Sequence, residues 1–161
     1  MRKARDRHPI PKPGEGKRGE QGHLGYLLRQ ASGAFRLRLE RAMADLDVTQ
    51  PQFAVLTMLA NYPGLSNADL ARLALLTPQT VSVIVLNLER GGAISRHPHS
   101  LHGRIQHIEL TDKGKRLLAQ CREHVRTIEQ DITSGLSAEE ETIIRRWLVR
   151  VASPGKGPQL S

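Results

Sequence analysis

The chain has 161 residues, with 24 Lys and Arg against 16 Asp and Glu, a formal net charge of +8, 39% hydrophobic and 25% charged residues. This fits one soluble core with appended elements, and the positive balance points to a polyanion such as DNA or RNA, or to an anionic membrane face. Aromatics are only 3% and Cys121 is the single cysteine, so stacking platforms for single strands are largely missing, an intramolecular disulfide is excluded and a reducing cytoplasm fits. No apolar run reaches the roughly 18 residues of a membrane span, and no apolar stretch of a secretory signal follows the basic N-terminus.

Residues 1–21 read as a disordered tail, with Pro9, Pro11 and Pro13, Gly14, Gly16 and Gly19, and seven bases against three acids, or about half of the net charge. It reads either as a phosphate-binding arm or as a solvated passenger. From His23 the apolar steps Leu24, Leu28, Ala31, Phe35, Leu39, Ala42 and Leu46 predict a long amphipathic helix in residues 22–48. Thr49 as N-cap and Pro51 in the first turn open a second, with Phe53, Leu56, Thr57 and Leu59 inward, ended by "NYPG". Ser66 and Asp69 form a capping box for a third, with Leu70, Leu73 and Ala74 as its apolar face.

The run Val81–Leu86 is β-branched and on local propensity resembles a strand. Its punctuation is helical: Thr77 as N-cap, Pro78 at the first position, a stripe of Val81, Ile84, Val85 and Leu88, and Gly91 and Gly92 as stop. A helix over 78–90 follows. "AISRH" (93–97) and "RIQHIEL" (104–110) predict a hairpin. Thr111 caps a long helix with a heptad-like seam of Leu118, Cys121, Val125, Ile128 and Ile132. A capping box at Ser137–Glu140 opens a last helix bearing Ile144, Trp147, Leu148 and Val151. Residues 153–161 read as a flexible tail.

Three helices followed by a hairpin is the order of a winged helix-turn-helix, with 78–90 as the reading helix. "SNADLARLALLTPQTVSVIVLNLERGGAISR", followed by "GRIQHIELTDKG", resembles the MarR family of bacterial transcription regulators over roughly residues 22–150. "TPQTVS", "LER-G" and "LT-KG" are its most specific parts. The fold expected is mainly α with a small β-wing. A winged helix-turn-helix lobe (49–110) sits between N-terminal (22–48) and C-terminal (111–152) dimerisation helices. The resemblance implies a homodimer on a palindromic operator in double-stranded DNA, usually as a repressor. It also implies release by a small, often phenolic or otherwise aromatic, effector held between dimerisation region and lobe.

Thr77, Pro78, Gln79, Thr80, Ser82, Val83 and Asn87 are the expected DNA-facing residues of the reading helix. Gln79 suits adenine and Val83 a thymine methyl. Arg96 on the first wing strand is an expected phosphate contact, with Arg72 and Arg90 behind it. The family's Asp-x-Arg wing motif reads His102-Gly103-Arg104 here, so Arg104 keeps the minor-groove role and lacks the carboxylate that orients it. Leu24, Leu28, Leu118, Cys121, Val125, Ile128, Trp147 and Leu148 are the expected dimer interface, the seam looking too long for one lobe to cover. His97, His99, His102 and His107 read as a metal site, as pH-tuned DNA affinity, or as polar filler. Their spacing matches no zinc pattern, and no metal or cofactor is expected. Cys121 reads as a buried structural thiol or a redox sensor. A redox- or metal-responsive regulator and a winged helix that binds protein or RNA are the alternatives. No phosphate loop or nucleophile–base arrangement suggests an enzyme.

Overall fold

The computed structural model describes residues 10–98 and 106–153. Its elements run α1 (Leu24–Ala42), α2 (Gln50–Asn61), α3 (Asn67–Ala74), α4 (Pro78–Arg90), β1 (Ile94–Pro98), β2 (Gln106–Leu110), α5 (Asp112–Thr133) and α6 (Ala138–Ala152), with short 3-10 turns at Gly16–Arg18 and Ala44–Leu46. Helix starts are written in side chains. Thr49, Ser66, Thr77, Thr111 and Ser137 each accept a backbone N–H from three residues on, and Thr49, Ser66 and Ser137 complete capping boxes with Gln52, Asp69 and Glu140. Each cap satisfies donors that the first helical turn would otherwise leave orphaned.

The strands pair antiparallel with Ile94 opposite Leu110 and Arg96 opposite Ile108, and Leu65 adds an isolated bridge to Ile108. The lobe core lies between α2, α3, α4, this ribbon and the start of α5. It includes Val55, Leu56, Leu70, Val81, Val85, Ile94 and Leu118. The stripe foreseen on α4 is the buried one, Val81, Ile84, Val85 and Leu88, and each of those side chains contributes roughly 2 kcal/mol. On α3 the buried pair is Leu70 and Ala71, while Leu73 is 46% exposed. The helix is eight residues long and turns only one edge inward.

A second, smaller core joins α1 to α5 through Leu39, Met43, Val48 and Cys121. The expected helical run to Leu46 breaks at Met43, and Asp47 turns the chain in the left-handed region with φ 52°. That break drops Met43 and Val48 onto Cys121. Two of the expected interface residues pack inside their own chain. Cys121 is 0% and Leu118 2% exposed within a single chain, so neither has surface to give a partner. The α5 seam is covered from inside over its first half. No single helix among the described residues is long and apolar enough to cross a membrane.

Candidate nucleic-acid interface

α3 and α4 meet at 112° across a short turn, the angle of a helix-turn-helix pair. The turn runs through Leu75, which adopts φ 54° and is 86% exposed. Thr77 then closes the first turn of α4, its Oγ1 accepting from Thr80 N at 3.1 Å and lying 2.8 Å from Thr80 Oγ1. Pro78 occupies the first helical position, and Ser82 Oγ donates to the Pro78 carbonyl at 2.9 Å. These hydroxyls fix the helix start. Gln79 and Val83 are exposed, Val83 to 59%, so most of Val83 is open to a partner. The result is a capped helix whose outer face carries no charge before Glu89 and whose first-turn N–H groups favour an anion.

Asn87 sits at the flank of that face. It shares the wall of a cavity of about 530 Å³ with Leu46, Val48, Gln52, Leu88, Lys113 and Leu117, at the junction of the lobe with the α1–α2 turn and α5. Arg96 carries a pairing that the sequence reading did not foresee. It is paired across the ribbon with Ile108, which is 1% exposed, and directly opposed residues share a sheet face, so Arg96 starts from the core-facing side of the ribbon while 29% of its side chain stays exposed. Its Nε donates to Glu89 Oε2 at 2.9 Å, and its Nη2 donates to the same oxygen. The bond with Arg96 holds the Glu89 carboxyl below its usual range, and the same bond raises Arg96. Arg96 thus ties the wing to the end of α4. Arg72 is bound to Asp69 at 2.5 Å, whereas Arg90 is exposed at the end of α4. Arg104, His99 and His102 lie outside the described residues.

A family model described as the MarR family matches residues 48–105. The HTH-type transcriptional repressor Rv2887 of Mycobacterium tuberculosis is 34% identical over 130 residues, spanning 81% of this chain and 94% of that protein. The chain belongs to the MarR family. Crystal structures of the MarR protein Rv2887 with p-aminosalicylic acid and with DNA superpose with TM-scores of 0.66 and 0.65 at 32% identity, covering 81% of this chain and 99% and 98% of those. The PcaV regulator of Streptomyces coelicolor, solved with its natural ligand, is similar at 29% identity and TM-score 0.72, over 82% of this chain and 93% of that one. MarR proteins are DNA-binding transcriptional regulators and not enzymes, and this chain is one of them.

Among the remaining expected residues, Leu24 and Leu148 are 68% and 43% exposed, and Trp147 is half-buried. Leu24 and Trp147, with Ile143 and Ile144, line an open groove between the start of α1 and α6. α6 buries none of its own residues. Val125 and Ile128 pack partly against the second core. His97 and His107 face each other across the ribbon, and no three His, Cys, Asp or Glu among the described residues are grouped to hold a metal. Burial pushes the Cys121 thiol up from its ordinary value, which works against the thiolate that oxidant sensing uses.

The sequence reading missed Glu89 as the partner of Arg96, Lys113 and Gln52 on the cavity wall, and Leu86, which is 38% exposed on α4. Strand alternation was the available signal for Arg96, since it stands two residues from Ile94. Three-residue spacing from Val83 was the signal for Leu86.

Proposed function

We propose that this MarR protein is a cytoplasmic homodimeric repressor of a palindromic operator, released by a small aromatic acid. The observation that carries the reading is the solvent-facing, uncharged face of α4, its start fixed by the Thr77 cap, on a basic chain. Uncharged donors and acceptors near a helix N-terminus suit base edges in the major groove, while cations elsewhere supply phosphate attraction. The exposed apolar side chains of α6 and the start of α1 support the two-fold partner, because exposed apolar strips of this kind mark association surfaces. Thr77, Pro78, Gln79, Thr80, Ser82 and Val83 face the duplex, and Arg104 serves the minor groove. The burial of Cys121 weighs against the redox-responsive alternative.

The cavity beside Asn87 suits the effector. Its walls combine the aliphatic Leu46, Val48, Leu88 and Leu117 with the polar Gln52 and Asn87 and the cation of Lys113. Such a site accepts a ring and pairs with a carboxylate. Rv2887 has been crystallised with p-aminosalicylic acid, which agrees in chemistry. A ligand wedged there changes how the end of α4 meets the start of α5 and hence the spacing of two reading helices.

The test is fluorescence anisotropy on a palindrome enriched from a randomised duplex pool, titrated with salicylate and related aromatic acids. Release is expected, and Lys113→Met should leave DNA binding intact while raising the required ligand roughly tenfold. Failure to enrich any duplex overturns the regulator reading. Release that is unaltered in Lys113→Met, or absent with every acid, overturns the effector assignment.

A further inference from the structure

We infer that Gln79, Val83 and Leu86 form one reading row in which the two apolar side chains recognise thymine 5-methyl groups, so that each half-site carries thymines at fixed steps from a Gln79-read base. The inference rests on the reading of α4 as the major-groove helix. At 3.6 residues per turn, Gln79, Val83, Leu86 and Arg90 fall within an arc of about 60°. That arc lies opposite the buried stripe of Val81, Ile84, Val85 and Leu88. Val83 is 59% and Leu86 38% exposed, so both keep apolar surface open to a partner on this face.

Duplex DNA fits this row better than any apolar partner. The row is continuous with the capped first turn of α4, whose N–H groups favour a phosphate, and it ends in the exposed Arg90. Along the groove only one base-edge feature is apolar, the C5-methyl of thymine. A G·C pair beside Val83 or Leu86 would press an acceptor or an amino donor against a hydrocarbon and leave it unpaired, whereas thymine buries methyl on methyl. Exclusion of G·C is therefore part of the readout. Gln79 supplies the paired donor and acceptor that suit adenine.

The helix sets the spacing. A rise of about 1.5 Å per residue separates Gln79 from Val83 by about 6 Å and Val83 from Leu86 by about 4.5 Å. With base pairs stacked about 3.4 Å apart, these correspond to roughly two steps and then one to two steps when the helix lies along the groove.

The experiment uses the full chain and the duplex it enriches best from a randomised pool, with each thymine replaced singly by uracil, which removes only the methyl. Two thymines per half-site should each weaken binding roughly fourfold on replacement, the worth of one buried methyl group. Val83→Ala should erase the penalty at the nearer position and leave the other, and Leu86→Ala should do the reverse. Uracil replacement leaves the protein untouched, so the test does not depend on the variants folding. An enriched duplex with no methyl-sensitive thymine overturns the inference while sparing sequence-specific binding. So do penalties that persist unchanged in both variants. If no duplex is enriched, the reading of α4 fails with it.

Discussion

Replacing Gly114 by alanine should break the joint between the DNA-binding lobe and α5. A Cβ built on Gly114 lies 1.9 Å from the Ala93 carbonyl oxygen and 2.9 Å from its carbon. Side-chain carbons do not come within 3.0 Å of such atoms, so α5 must withdraw by about 1 Å. That oxygen already accepts from Thr111 N at 3.1 Å, Thr111 Oγ1 donates to the Gly92 carbonyl at 2.6 Å, and Gly114 N donates to Thr111 Oγ1 at 3.1 Å. Moving the helix start therefore strains the whole clasp. Overpacking of this kind costs about 1–3 kcal/mol, and weakening one buried hydrogen bond adds about 1 kcal/mol. Alanine's better helix propensity returns less than about 1 kcal/mol. The net expectation is a loss of about 2–3 kcal/mol. Urea unfolding followed by circular dichroism, at matched protomer concentration because association shifts stability, should show it. Stability within about 0.5 kcal/mol of wild type would refute the steric argument. The same geometry explains why "LT-KG" ends in glycine: the motif is a packing joint.

Three further substitutions probe separate parts of the structure. Leu75 holds a left-handed φ of 54° with 86% of its surface exposed, so Leu75→Asn should stabilise by about 0.5–1 kcal/mol and raise Tm by a few degrees; a lower Tm would show that Leu75 has a packing role. Arg96→Ala should destabilise the lobe by about 1 kcal/mol and leave the salt slope of DNA binding unchanged; a slope lower by about one unit would restore Arg96 as a phosphate contact. The Asp69 carboxyl is held below its ordinary 3.8 chiefly by the Ser66 hydroxyl and then by Arg72. A carboxyl depressed in the folded state stabilises above its unfolded pKa and loses that contribution as pH falls through its folded pKa. The stability gap between wild type and Asp69→Asn should therefore be full at neutral pH and close as pH falls below 3.8; a gap independent of pH would show that the carboxylate's charge is irrelevant to the cap.

Much of the lobe was legible because local signals agree there. Thr77, Pro78 and the glycines after Arg90 bracket α4 so firmly that a β-branched interior does not become a strand, and burial of one helical stripe completes the choice. The capping boxes at Ser66 and Ser137 were readable for the same reason. What failed to show was who covers what. A heptad-like seam looks identical whether its partner is another chain or the same one, and only the break at Met43 reveals that α1 folds back over Cys121. The Glu89–Arg96 pair joins residues seven apart through a turn, beyond any periodic signal. The cavity draws its lining from α2, α4, α5 and the turn before them, and no contiguous motif encodes such a junction. Arg104, assigned from the wing motif, lies outside the described residues, so its assignment rests on the sequence.

The most direct measurement is a pair of anisotropy titrations of Gln79→Ala and wild type, on the enriched palindrome and on a scrambled duplex at the same salt. Binding to the palindrome should weaken by about 1–3 kcal/mol, base preference should relax at the position Gln79 reads, and affinity for the scrambled duplex should stay unchanged. Equal weakening on both duplexes would contradict sequence reading by α4 and reduce Gln79 to a backbone contact.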